Sequence, residues 1–497
     1  MAKKFQNFID GKWVDACSGR TFENRNPANW DEIVGTFPKS GKEDVEAAVR
    51  AAKRAFESWR LLPAPKRGDI MRRVGDLMVE RKEELARQMT REMGKVLAET
   101  RGDVQEGIDT AYYAAGEGRR LFGHTVPSEL SDKFNMAIRV PVGVAGIVTP
   151  WNFPMAIPTW KIFPALLCGN TVVFKPASDT PATATSLVEI LLEAGVPEGV
   201  VNIVHGGGGE VGMAIVGHPD VDLVSFTGST VVGKKISEVA SSTLKRVSLE
   251  LGGKNAQIVM DDADLSLALE GVLWGAFGTT GQRCTATSRL ILHEKIHDRF
   301  LEMLKERAEK LRLGDGLLPG TDVGPCINQD QQETVKSYVE IGQKEGARLV
   351  TGGSVPKGNG MEKGWFYAPT VFAEVRPAHR IAREEIFGPV LSVLKARSLE
   401  EAVVILNDTI YGLSSSIYTA NVDKAFRAIR DVKAGITYIN APTIGAEAHM
   451  PFGGVKQTGN GHREGGWTVY EFFSEWKTVY VDYSGGLQRA QIDNYQG

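Results

Sequence analysis

The 497-residue chain is 42% apolar and 24% charged, which suits a large folded protein of about three domains and excludes disordered, fibrous and coiled-coil classes. Its formal charge of −3 offers no basic field for nucleic acid or an anionic membrane, and four cysteines are too few for a disulfide framework. The opening MAKKFQNFIDGKWVD lacks an apolar signal core, and the apolar run near residue 160 is broken by Pro158, Lys161 and Pro164. Neither secretion nor a membrane span is expected, so the predicted compartment is the cytoplasm.

In chain order, Asp10-Gly11 between FQNFI and KWV predicts a hairpin. From Lys42 to Phe122 the pattern is helical, rich in Ala, Glu, Arg and Leu. Residues 135–148 read as a strand, a Pro-Val-Gly break and a buried strand. Apolar runs at 144–148, 171–175, 200–204, 222–226 and 247–251 then alternate with helical segments, the rhythm of right-handed βαβ units in a parallel sheet. A second alternation, from about 253 to 450, places strands near 256–260, 288–293, 390–394, 413–418 and 436–439, with a long amphipathic helix at 295–312. The Gly-rich stretch 352–364 reads as loop. The tail 474–483 reads as a strand that leaves the core unpaired and seeks a partner subunit.

Two motif matches are weak. His293-Glu294-Lys295-Ile296-His297 fits the zinc pattern H-E-x-x-H, but SRLILHE is strand-like and the helix starts near Lys295, which puts the two histidines on different elements. Gly207 to Gly212 fits G-x-G-x-x-G, yet it follows the third strand of the sheet and reads better as a strand-to-helix turn. Phe226-Thr227-Gly228-Ser229-Thr230 is stronger: it ends the fourth strand and opens a helix, where free N–H groups favour an anion. Lys175 ends the second strand, where doubly wound sheets present a ribose-binding group. Together they point to a dinucleotide.

Cys284 lies in the small, polar stretch GTTGQRCT, unlike Cys168 among aliphatics in PALLCGN. The adjacent Arg283 is expected to favour the thiolate. A cysteine nucleophile suits acyl chemistry, and no histidine stands in a recognisable partner motif.

The set Thr149-Pro150-Trp151-Asn152-Phe153-Pro154, Phe174-Lys175-Pro176, FTGST at 226–230, Leu249-Glu250-Leu251-Gly252-Gly253-Lys254, Gly281-Gln282-Arg283-Cys284, Glu384-Glu385-Ile386-Phe387-Gly388-Pro389 and Pro451-Phe452-Gly453-Gly454 resembles the aldehyde dehydrogenase superfamily over essentially the whole chain. The resemblance implies an α/β fold: a Rossmann-like doubly wound NAD(P)-binding domain from 1–125 and 142–252 plus about 451–473, an α/β catalytic domain from 253–450, and a small β oligomerisation element from 126–141 and 474–497. It implies Cys284 as nucleophile, Asn152 as oxyanion donor together with the Cys284 N–H, and Glu250 as the base that activates water. Cofactor contacts are implied at Trp151, Lys175, Ser178, Gly228, Ser229, Gly233, Leu251, Glu385 and Phe387, with NAD or NADP as cofactor and no metal.

Ser178 stands where NAD-preferring relatives often carry glutamate, so NADP is expected to be accepted, unless the neighbouring Asp179 points inward. GQRCTAT and REMGK resemble α-ketoglutaric semialdehyde dehydrogenases, whereas Val104-Gln105-Glu106 and NAPTIGAE at 440–447 resemble α-aminoadipate semialdehyde dehydrogenases. In the latter the far end of the substrate is held by residues matching Glu106, Arg283, Gly445 and Ala446. A carboxylate-bearing semialdehyde is the first expectation and a broad aliphatic or aromatic aldehyde the second. A non-catalytic relative and a zinc metalloprotease through His293 and His297 are remote. His462 looks like an insertion near the site mouth. A homodimer or homotetramer is implied, with no nucleic acid or membrane partner.

Overall fold

The computed structural model describes residues 3–358 and 360–493; the last four residues of the tail segment, 494–497, fall outside this range. The predicted alternation of strands and helices builds two seven-stranded sheets. The first runs, edge to edge, Arg246–Glu250, Leu223–Thr227, Val144–Val148, Thr171–Lys175, Val201–Ile203, Asn7–Ile9 and Lys12–Val14. The first five of these pair in parallel. Strand order reverses between Leu223–Thr227 and Val144–Val148, so a crevice opens beyond the carboxyl ends of those two strands.

Helices cover both faces, which is why Val144–Val148, Thr171–Lys175 and Val201–Ile203 are buried along their whole length. On one face pack α2 (Ala64–Glu80), α3 (Lys82–Met93), α4 (Leu97–Glu117), α5 (Ala156–Cys168) and α6 (Pro181–Glu193); on the other lie α1 (Lys42–Trp59), α7 (Met213–Gly217) and α8 (Thr230–Ser241). Every residue of α5 is buried, as its apolar circumference requires. The Asp10-Gly11 hairpin forms as predicted: both residues are left-handed, at φ 53° and 78°, and its strands join the sheet edge antiparallel.

The second sheet runs Arg348–Thr351, Thr370–Ala373, Val390–Ala396, Thr287–His293, Asn255–Val259, Ser414–Tyr418 and Ile436–Ile439. Its faces carry α9 (Leu265–Phe277) and α10 (His297–Glu309) on one side and α11 (Gln329–Lys344) on the other. The strands Arg348–Thr351 and Thr370–Ala373 escaped the sequence reading. Each is four residues long and they flank the Gly-rich loop, too short for a pattern of alternation.

One expectation needs correcting. The tail strand Ser474–Asp482 is not left unpaired: it runs antiparallel to Lys133–Pro141 along its whole length, and His124–Val126 completes a three-stranded sheet. Only its outer edge is open. His293 ends a strand and His297 opens α10, so the two histidines stand on different elements, as the sequence reading held.

Candidate active site

Strand ends and one loop assemble the site. Asn152 follows Val144–Val148, Thr227 ends the fourth parallel strand and Glu250 ends the fifth. Cys284 sits in the loop between α9 and Thr287–His293. Within that loop Thr279, Thr280 and Gly281 are all left-handed, at φ 52°, 57° and 67°. Two consecutive β-branched residues in that region are rare and cost free energy, so surrounding bonds must hold them. Arg283 Nε donates to Thr279 Oγ1 at 2.9 Å, Thr280 Oγ1 to Gly324 O at 2.9 Å, and Asn255 Nδ2 to Cys284 O at 2.7 Å.

Cys284 lines two cavities that meet at it. The first, of about 350 Å³, is walled by Phe153, Trp160, Trp274 and Phe452, with Glu106, Glu250, Arg283, Gly445, Ala446 and Glu464 among its polar and loop residues. The second, of about 240 Å³, is lined by Trp151, Asn152, Gly228, Ser229, Gly252, Gln331, Glu385 and Phe387. Leu251 and Thr227 border both. The sequence-predicted set thus divides into two groups around one sulfur. Three predicted cofactor residues line neither cavity: Lys175, buried at its strand end; Ser178, whose hydroxyl donates to Gly206 O at 3.0 Å; and Gly233, where a Cβ would collide with the Leu251 side chain.

The second cavity suits a dinucleotide. It lies at the switch point, Ser229 caps the amino end of α8 with its Oγ, and Trp151 meets Phe387 edge-on at 5.3 Å. Glu385 accepts the Gly253 N–H at 2.9 Å, and burial raises its carboxyl to about 7. Burial lowers Lys175 to about 8, an effect opposed by the charge of Asp179.

Charges in the first cavity are arranged unequally. Burial and the charge of Glu464 push Glu250 well above the usual carboxylate range, and neither of its oxygens has a hydrogen-bond partner among the described residues. Glu464 in turn pairs with Lys161 at 2.6 Å. Glu106 Oε1 is also buried without a partner, and burial, then the nearby Asp103, raise its carboxyl to about 8. Lys95 pairs with Asp103 at 2.8 Å with no exposure on either side, and its ammonium stands 3.4 Å from the Phe153 ring centre.

The expectation for Arg283 is overturned. Its guanidinium pairs with Glu99 at 3.0 Å, and the Cys284 thiol is pushed up to about 12, first by burial and then by Glu250 and Glu385. Nor does His462 stand at the mouth of the site: its ring packs edge-on against Phe472 at 4.9 Å and it lines neither cavity. Gly208–Gly212 forms a single wide helical turn running into α7, in keeping with a strand-to-helix turn.

Sequence reasoning missed Lys161, Glu464, Lys95 and Asp103. Lys161 does carry a signal, a lone charge in an otherwise apolar helix, which needs a buried partner.

Fold and site together define a dehydrogenase of the doubly wound α/β type with a cysteine at its centre. Residues 13–479 match the family model described as "Aldehyde dehydrogenase family", and the chain belongs to that family. It is similar to an alpha-ketoglutaric semialdehyde dehydrogenase of Bacillus subtilis, 44% identical over 96% of this chain and 98% of that protein. An alpha-ketoglutarate semialdehyde dehydrogenase of Haloferax volcanii is 44% identical over 97% of this chain and 100% of its own length. Among solved structures, betaine aldehyde dehydrogenase of Staphylococcus aureus in complex with NAD+ superposes with a TM-score of 0.95 at 37% identity, covering 97% of this chain and 96% of that one. No helix among the described residues is long and apolar enough to cross a membrane.

Proposed function

We propose that the enzyme oxidises a semialdehyde with a charged far end to the corresponding acid, through a thioester on Cys284, with NAD or NADP as cofactor. The observation that carries this reading is the position of Cys284 where the two cavities meet, one with charged groups for a substrate and one suited to a dinucleotide. When bound, the nicotinamide supplies the acceptor for a hydride.

Everything else is asked of the chain. Cys284 loses its proton to water in the cavity, and Sγ adds to the aldehyde carbon. Asn152 is 2% exposed and its Nδ2 donates to Gln282 O at 3.2 Å, a long bond that leaves the amide able to turn its second N–H to the oxyanion. The Cys284 N–H is the other donor. In the second half Glu250 takes a proton from water, the hydroxyl oxygen adds to the thioester carbon, the C–S bond breaks and the acid leaves. Lys175 and Ser178 serve the adenosine ribose, Ser229 the pyrophosphate, and Glu385 the nicotinamide ribose; the NAD+ complex of the Staphylococcus aureus relative supports a nucleotide here.

The two semialdehyde dehydrogenases above support a carboxylate at the far end of the substrate, and Arg283 in the first cavity supports it chemically. Glu106 favours a second reading, an amino-acid semialdehyde: a buried carboxyl oxygen without a partner is satisfied by an ammonium. The test is a panel of aldehydes of equal length ending in methyl, carboxylate, ammonium or both, run with each cofactor. Charged ends should give the higher kcat/KM; equal values across the panel would favour a broad-specificity enzyme.

We read the small sheet as the oligomerisation element of a homodimer or homotetramer. The open edge of Ser474–Asp482 and the exposed Phe134, Trp476 and Tyr480 support this. Four free cysteines support a reducing, cytoplasmic setting.

A further inference from the structure

We propose that residues 324–328 are a strap that fixes the two cofactor-facing loops relative to the cysteine loop, and that the hydrogen bond between Asn328 and Asp179 is its latch. The proposal rests on the reading above of Lys175 and Glu385 as groups at opposite ends of the cofactor.

At one end the strap holds the cysteine loop: Thr280 Oγ1 donates to Gly324 O at 2.9 Å, and the Gln282 side chain takes the Ile327 N–H at 2.9 Å while donating to Pro325 O at 3.3 Å. Asn328 then faces two ways. Its Nδ2 donates to Asp179 Oδ1 at 2.9 Å, and its Oδ1 caps α11 by accepting the Gln331 N–H at 3.0 Å. One turn on, Gln331 Nε2 donates to the carbonyls of Ile386 and Phe387 at 2.9 and 3.0 Å, directly beside Glu385.

The loop from Lys175 to Thr180 is firmly tied on its other sides. Asp179 O accepts from Asn24 Nδ2 at 2.7 Å, Ser178 is tied to Gly206, and the buried Glu92 accepts both the N–H and the hydroxyl of Thr183 at the start of α6. The latch therefore joins two rigid parts, one carrying Lys175 and the other Glu385 and Phe387. Asn328 and Asp179 are positioning residues: neither lines the cofactor cavity, and each acts through the loops that do. A dinucleotide that must reach both ends at once is sensitive to the spacing the latch sets.

The test is a swap. Asn328→Asp keeps a good helix cap but turns the donor into a second carboxylate facing Asp179. Dissociation constants for NAD and NADP, read without turnover from quenching of intrinsic tryptophan fluorescence, should both weaken by about tenfold or more. The double variant N328D/D179N restores a donor and an acceptor with their roles exchanged, and should recover to within about threefold of the native protein. A structural role alone would lower the thermal midpoint without this exchangeable effect on binding. Should N328D not fold, Asn328→Ser keeps a capping oxygen while its shorter arm withdraws the amide donor from Asp179, and about threefold weakening at an unchanged midpoint is expected. Native-like binding by the foldable single variant, or a double variant no better than N328D, overturns the latch. A native chain that binds neither dinucleotide would overturn the functional reading itself, and the latch with it.

Discussion

Lys161 Nζ and Glu464 Oε1 stand 2.6 Å apart with both side chains buried, and the charge of Glu464 reaches Glu250. Lys161 also donates to Ser225 Oγ at 2.9 Å, inside the parallel sheet. The pair thus sets the field in which Glu250 ionises. Replacing Lys161 by Met leaves Glu464 buried with an uncompensated charge and should destabilise the protein by about 3–5 kcal/mol in denaturant unfolding. Glu464→Gln removes the charge that raises Glu250, so the rising limb of the pH–rate profile should move to lower pH. An unmoved limb would separate Glu464 from the base.

Glu250 itself ionises only well above the usual carboxylate pH. As a base it must be ionised, so kcat should climb with pH along a limb displaced above the usual carboxylate range. Stability should run the other way: a carboxyl buried neutral contributes fully below its unfolded value of 4.5 and loses that contribution as pH rises toward its folded value. Glu250→Gln should give a single-turnover burst of reduced cofactor and then stall, and a variant that cycles normally would remove Glu250 from thioester hydrolysis.

Asn152→Ala should lower kcat by about 10²–10³-fold while leaving the dissociation constant for cofactor near native, because the amide is assigned to charge that develops only during reaction. A loss confined to KM would place Asn152 in ground-state binding.

Arg283 and Glu106 should separate by substrate. Arg283→Met should raise KM for carboxylate-ended aldehydes by about tenfold and spare neutral ones, and Glu106→Gln should do the same for ammonium-ended ones. Steady-state kinetics on the aldehyde panel distinguishes them.

The cofactor end carries a related expectation. With Ser178 in place of a carboxylate, NADP should be used within about a hundredfold of NAD in kcat/KM, and Ser178→Glu should depress the NADP value selectively. Asp179 faces Asn328, 2.9 Å away, and its charge also acts on Lys175.

Much of this was legible in the sequence, for identifiable reasons. Parallel strands buried on both faces, such as Val144–Val148 and Thr171–Lys175, leave continuous apolar runs, and the left-handed hairpin turn needs Asp10-Gly11. Cys284, Asn152 and Glu250 could be named because each sits in a distinctive run of small or polar residues matching a family motif. What failed depends on tertiary geometry. Arg283 stands next to Cys284 in sequence, yet its guanidinium turns to Glu99, 3.0 Å away, and not to the thiol. The pattern of the tail alone does not reveal the pairing of Ser474–Asp482, because its partner Lys133–Pro141 lies more than three hundred residues away. Lys161 and Glu464 meet across a similar separation, which no local pattern can reveal.

The left-handed run from Thr279 to Gly281 has a consequence for how this protein withstands heat. Two threonines held there cost about 1–3 kcal/mol each, in the loop that carries the reactive atom. Glycine at Thr280 would relax that spring while releasing its bond to Gly324. That chain also loses a buried hydrogen bond and gains freedom when unfolded, effects of the same size as the strain, so its melting midpoint should stay near native while the reactive loop loosens.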